Sequence, residues 1–165
     1  MITISEASIS DIKIIQKIAH ITWPITYGPI LSEKQLQYML DLIYSDEALS
    51  KQIQNKEQLF YLISDEKSTI GFIGIEHHYN KEAITKIHKI YFLPETQGKG
   101  FGKKVFEWIG KAASENNSAA LLLNVNRFNT ALHFYKKLGF EIKEEVNIEI
   151  GNGYLMEDYI LEKQL

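Results

Sequence analysis

Residues 86–102, Lys-Ile-His-Lys-Ile-Tyr-Phe-Leu-Pro-Glu-Thr-Gln-Gly-Lys-Gly-Phe-Gly, place a strand, a glycine-rich turn and a helix start in immediate succession. Ile87, Ile90, Phe92 and Leu93 have the composition of a buried strand, and Pro94 ends it because proline has no N–H for the ladder. Gly98, Gly100 and Gly102 let the backbone approach a ligand with no Cβ in between. A helix beginning at Lys103 turns its unpaired N–H groups toward this turn. Those groups and the helix dipole both favour negative charge there. Lys99, Lys103 and Lys104 add positive charge. The stretch therefore predicts a ligand that carries a pyrophosphate.

The spacing narrows the ligand. Gln97-x-x-Gly100-x-Gly102 lacks the two residues that separate the last glycines of a dinucleotide fingerprint, and no Gly-Lys-Ser/Thr follows as in a P-loop. Taken alone, the turn also reads as an ordinary strand-to-helix connection. A second segment lies further along, Asn129-Thr-Ala-Leu-His-Phe-Tyr-Lys-Lys-Leu-Gly-Phe140. Its Ala131, Phe134, Tyr135 and Leu138 fall on one helical face, and Gly139 is placed to cap the helix C-terminus. Alone, this is a plain amphipathic helix. In this order and at this separation, the two segments resemble the pyrophosphate loop and the following Asn-x-x-Ala/Ala-x-x-Phe-Tyr-x-x-x-Gly-Phe helix of the GNAT acetyltransferases.

The rest of the chain is consistent with that resemblance. Its 165 residues, 45% hydrophobic, suffice for a single domain over 1–165 with a real core. A net charge of −3 argues against a nucleic-acid partner. There are no cysteines, so neither a disulfide framework nor a thiol nucleophile is expected. The opening residues lack the pattern of a signal peptide and no apolar run is long enough for a membrane span, so a cytoplasmic location without a membrane partner is expected.

Hydrophobic periodicity orders the elements. Residues 2–5 read as a strand. Ser8 and Asp11 signal a helix start, and Ile12, Ile15, Ala19 and Thr22 share a helical face. Trp23-Pro24 is expected to end that helix. Ser32 and Gln35 form a capping box before Leu36, Met39, Leu40 and Ile43, and a third helix covers 46–54. Residues 59–63 and 69–75 make a hairpin, followed by a strand over 84–93 and a helix over 102–116. A strand over 119–125, a helix over 130–138 and strands near 140–149 and 154–162 complete the pattern. Alternating strands and helices imply an α/β class. The order is that of the GNAT fold, a mixed, mostly antiparallel sheet of about seven strands flanked by helices.

The resemblance implies a site. In that fold the fourth and fifth strands splay, and acetyl-CoA pairs its pantetheine arm with backbone groups of Tyr91, Phe92, Leu93 and Asn124. A backbone N–H near Phe92 would stabilise the oxyanion. Gln97, Gly98, Lys99, Gly100, Phe101, Gly102 and Lys103 would hold the pyrophosphate. Gln97 stands where many relatives have arginine. Asn129 would hydrogen-bond the cofactor and Lys137 would reach its phosphates. Tyr135 would protonate the departing thiolate, since a phenol and a thiol have comparable basicity.

The general base is less defined. Many relatives carry a glutamate on the fourth strand, where this chain has Lys86, His88 and Lys89. Histidine in general titrates near neutral pH, which makes His88 one candidate. Glu76, acting through water, is the other. His77 and His78 lack partners at a ligand spacing, so no metal is expected. Trp23 and Tyr27 are candidates to line the amine acceptor by cation–π contact, and they read equally as a cap on the core beside the first helix. The Gly151–Tyr159 ending resembles the PaiA-type polyamine acetyltransferases. Asp41, Asp46, Glu76 and Asp158 are the acids available to a polyamine. The resemblance implies transfer from acetyl-CoA to a primary amine within a ternary complex. A CoA-binding module without turnover is the alternative, and a homodimer is one open assembly state.

Overall fold

The computed structural model describes residues 1–165. Seven strands form one mixed sheet in the order β1-β2-β3-β4-β5-β7-β6. They are β1 (Thr3–Glu6), β2 (Leu59–Ser64), β3 (Thr69–Glu76), β4 (Ile84–Phe92), β5 (Ala120–Asn126), β6 (Glu141–Glu149) and β7 (Leu155–Gln164). Five α-helices accompany them: α1 (Ile12–Tyr27), α2 (Glu33–Tyr44), α3 (Asp46–Gln54), α4 (Phe101–Glu115) and α5 (Leu132–Lys137). The chain divides into two compact units, Met1–Glu76 with His88–Phe101, and His77–Ile87 with Gly102–Leu165.

In the first unit β1 pairs antiparallel with β2, and β2 with β3. The β2–β3 turn is closed by Asp65, whose Oδ1 accepts the N–H groups of Lys67 and Ser68 at 2.9 Å each. Such an Asx turn is the reason a short polar segment suffices between two apolar runs. Ile12, Ile15 and Ala19 of α1, Leu36 and Leu40 of α2 and Leu49 of α3 are buried with Phe60, Ile63, Phe72 and Ile73. The Ser32 hydroxyl accepts the Gln35 N–H at 3.1 Å, which starts α2, and Ser45 caps α3 in the same way through Ala48 at 3.1 Å.

One expectation fails here. Trp23-Pro24 does not end α1, which continues to Tyr27. Proline removes the N–H that would bond the His20 carbonyl. His20 and Pro24 are both exposed, so water can serve that carbonyl. The inner face stays packed, and the Gly28 N–H returns to the Pro24 carbonyl at 2.9 Å.

In the second unit β4 runs parallel to β5, Ile84–Ile87 opposite Ala120–Leu123. β7 lies antiparallel between β5 and β6. Val105, Ile109 and Ala113 of α4 are buried, as are Leu121, Leu123, Phe140 and Leu161. α5 stops at a Schellman motif. Gly139 adopts φ +95°, its N–H bonds the Lys136 carbonyl at 3.0 Å, and the Phe140 N–H bonds the Tyr135 carbonyl at 3.1 Å. The α5 face is shifted from the predicted one. Phe134 is 39% exposed, while Ala131, Leu132, Tyr135 and Leu138 are half-buried.

Candidate active site

β4 stops at Phe92, and a single 3-10 turn over Pro94–Thr96 leads into the glycine segment. Thr96 shapes this turn. It is buried, and its hydroxyl donates to the Leu93 carbonyl at 2.6 Å. Nothing in the motif spacing singled it out. Gly98 at φ +79° and Gly100 at φ +73° occupy the left-handed region, and a Cβ built on either meets nothing within 4 Å. Backbone conformation is therefore what requires glycine at both positions, and the turn stands open to a ligand. Gly102 differs. A Cβ there would lie 2.9 Å from the Phe134 ring, so its bareness seats that ring against the first turn of α4. The helix begins at Phe101 rather than Lys103. Lys99, Lys103 and Lys104 are exposed.

The end of β4 also gains definition. The Leu93 N–H bonds the Ile70 carbonyl at 2.8 Å, so that donor is committed to β3. The Tyr91 carbonyl lies on the same side, 2.5 Å from where Gly71 would carry a Cβ. Backbone groups alternate along a strand. Of the three residues expected to present backbone to pantetheine, Phe92 is therefore the one whose N–H and carbonyl turn away from β3.

Glu76 ends β3, and His88 sits on neighbouring β4. The sequence offered them as competing bases, and the structure joins them. His88 Nε2 lies 2.8 Å from Glu76 Oε2, with side chains 22% and 37% exposed. A carboxylate on one ring nitrogen fixes the tautomer, making Nδ1 the basic nitrogen when Nε2–H donates.

Trp23 is not available as an acceptor wall. It is 3% exposed, its Nε1–H donates to the Tyr44 hydroxyl at 3.3 Å, and its ring packs 4.5 Å from Tyr27 and 5.9 Å from Tyr91. An indole this size at the start of an aromatic cluster gains more from burial than from an exposed contact. Tyr27 is half-buried, its hydroxyl 3.0 Å from that of Tyr91. Burial pushes the Tyr44 phenol well up from its ordinary value.

Lys89 is the residue that sequence reasoning passed over. It is 6% exposed, and its ammonium donates to Gln58 Oε1 at 2.7 Å and Gln52 Oε1 at 3.1 Å. The nitrogen lies 5.0 Å from the centre of the Phe60 ring. Desolvation pushes its ionisation down to about 7. The signal was the alternation Thr85, Ile87, Lys89, which shares one buried face, while Ile90 is only half-buried. Gly74 also clears the way, since a Cβ there would come 3.5 Å from Lys89 Cβ and 2.9 Å from Gln58 Oε1.

In the second unit Tyr135 is half-buried, its ring 5.8 Å from Phe106 and 6.1 Å from Phe140. Asn129 has a structural task, its Oδ1 accepting the Ala131 N–H at 2.9 Å before α5. Lys137 is exposed in the last turn of α5. Asn124 donates through Nδ2 to Asp158 Oδ2 at 3.4 Å. The four acids differ in setting. Asp46 is paired with Lys13 at 3.0 Å, Asp41 with Gln37 at 2.9 Å, Glu76 with His88, and Asp158 is buried.

Comparison with known proteins identifies the family. A family model described as an acetyltransferase (GNAT) domain matches residues 29–160. Spermidine N(1)-acetyltransferase of Thermoplasma acidophilum is 28% identical over 161 residues, covering 94% of this chain and 96% of that protein. The crystal structure of a PaiA N-acetyltransferase from Thermoplasma acidophilum in complex with coenzyme A superposes with a TM-score of 0.83 at 26% identity, covering 100% of this chain and 99% of that one. An IAA acetyltransferase from Bacillus cereus shares the fold, with a TM-score of 0.66 at 21% identity over 100% of both chains. With the family model spanning most of its length, the chain belongs to the GNAT acetyltransferases, enzymes that draw the acetyl group from acetyl-CoA.

Proposed function

We propose that residues 1–165 act as one acetyltransferase domain that moves the acetyl group of acetyl-CoA directly to a primary amine of a polyamine, in a ternary complex. The observation that carries the chemistry is the 2.8 Å contact between His88 and Glu76. An alkylammonium must lose a proton before it can attack. His88 takes that proton, and Glu76 stabilises the imidazolium that results. The polyamine reading is supported by the spermidine acetyltransferase that is similar over 94% of this chain.

The remaining roles follow from local chemistry. The open turn from Gln97 to Gly100, with Phe101, Gly102 and Lys103 at the start of α4, holds the pyrophosphate, and Lys99 adds charge. Tyr91, Phe92 and Leu93 border the pantetheine arm, and the Phe92 N–H is the donor for the thioester oxygen as it gains charge. The neutral amine attacks the thioester carbon, the C–S bond breaks, Tyr135 gives its phenolic proton to the thiolate, and the surplus proton on the new amide nitrogen returns to the Tyr135 phenolate. Tyr27 faces the acceptor. Lys137 and the Asn129 Nδ2 contact the cofactor.

The test is release of CoA thiol by the purified protein with acetyl-CoA, against spermidine, spermine, other small amines and short peptides. Release with spermidine or spermine, and N-acetylated product by mass, is the expected result. Reaction with another class and silence with polyamines would overturn the polyamine assignment and leave the acetyltransferase standing.

A further inference from the structure

The neighbouring side chains Asn124 and Asp158 present a combination that the roles above do not use. Asp158 is 3% exposed in β7, opposite Asn126 of β5 and Val146 of β6. Asn124 lies two residues before Asn126, on the same face of β5. Arg127 and Lys86 act on Asp158 through their charge, while their hydrogen bonds go to other groups. Arg127 bonds Glu145 at 2.9 Å and Asn147 at 2.8 Å, and Lys86 bonds the Tyr79 hydroxyl at 3.3 Å. What Asp158 does hold is Asn124 Nδ2, at 3.4 Å. The other end of that amide, Oδ1, is removed from water and has no hydrogen-bond partner.

This arrangement has a chemical direction. An ionised carboxylate only accepts hydrogen bonds, whereas an amide accepts at one end and donates at the other. Asp158 therefore attracts Nδ2 and repels Oδ1, which fixes which way the amide faces. A buried acceptor without a donor is costly in a folded protein, and a ligand N–H would satisfy it. Burial also raises the Asp158 ionisation, a further cost that a purely structural residue would avoid.

We propose that Asp158 is a positioning residue, which turns the Asn124 amide so that Oδ1 accepts an N–H group of a bound substrate. Two substrates carry that group, the pantetheine arm of acetyl-CoA through its amides and the acceptor through its amine. The inference rests on the acetyltransferase reading above and adds an orienting residue to it.

The experiment compares wild type with Asp158→Leu, Asp158→Asn, Asn124→Ala and the Asp158→Leu/Asn124→Ala double variant, each checked by thermal melting. KM for acetyl-CoA, KM for the amine and kcat are measured, with calorimetric binding of acetyl-CoA as a readout that needs no turnover. Loss of one hydrogen bond predicts a rise of about 3- to 10-fold in one KM, with kcat within about twofold. A rise for acetyl-CoA, matched by calorimetry, assigns the pantetheine amide, and a rise for the amine assigns the acceptor. Asp158→Asn can pair with either end of the Asn124 amide, so it no longer fixes the direction and raises the same constant, by less than Asp158→Leu. The double variant is no worse than Asn124→Ala, because Asp158 acts through that amide. Where Asp158→Leu does not fold, Asp158→Ala makes the same comparison. Unchanged KM values in folded, active variants overturn the inference and leave the function in place, as does a double variant with additive losses. A wild type that neither binds acetyl-CoA nor acetylates any amine overturns both.

Discussion

Replacing Lys89 with methionine should change how stability depends on pH. The lysine is buried with two glutamine oxygens, and its ionisation moves from 10.5 to about 7 on folding. A displacement of that size corresponds to about 5 kcal/mol of penalty on the charged form. The sign follows from proton binding. From about pH 7 to about pH 10 the unfolded chain holds the lysine proton and the folded chain does not, so stability rises with pH across that window. Between about pH 7 and about pH 9 the rise amounts to about 2 kcal/mol. Lys89→Met removes it, while pH-independent losses, such as the glutamine oxygens left without their donor, cancel in the comparison. Urea unfolding of both proteins at several pH values measures the difference in unfolding free energy. Wild type should gain on the variant by about 2 kcal/mol over that range. A flat or falling difference would show that the folded protein keeps Lys89 charged, and the desolvation argument would be wrong.

Three further outcomes are expected. Gly100→Val should lower the melting temperature through its φ of +73°, since no neighbour lies within 4 Å of the new Cβ, and should weaken acetyl-CoA binding by about tenfold or more in calorimetry. Tyr135→Phe preserves the ring packing on Phe106 and Phe140. It should reduce kcat by about 100-fold while the acetyl-CoA dissociation constant holds, and equal turnover would remove Tyr135 as the acid. Glu76→Gln retains a hydrogen-bonding group for His88 and loses the charge. Turnover should fall by about tenfold near neutral pH, and the deficit should shrink at higher pH, where the amine deprotonates without help.

The fold was legible because local signals agreed with one another. The Ser32 cap, the polar turn at Asp65 between two apolar runs and the positive-φ Gly139 each mark an element boundary in the sequence. One exception, Pro24, sits where a lost hydrogen bond falls on the solvent side of α1, a matter of helix orientation that local rules do not contain. The site was legible in its motifs and illegible in its pairings. Glu76 and His88 read as rivals because strand neighbours separated along the chain meet only through register. Trp23 left an acceptor wall and a core cap equally open, because an aromatic next to proline gives no sign of the Tyr27, Tyr44 and Tyr91 rings around it. Lys89 lay hidden because a lysine in a strand is ordinarily read as facing solvent. Only the alternation with Thr85 and Ile87 turns it inward.

Direct acetyl transfer to a polyamine is tested best by initial rates with acetyl-CoA and spermidine varied together, and with the acetylated product counted against CoA released. The account predicts one acetylspermidine per CoA and double-reciprocal lines that intersect, as a ternary complex requires. Parallel lines would point to an acetylated enzyme, and CoA release without acetylated polyamine would contradict the central claim.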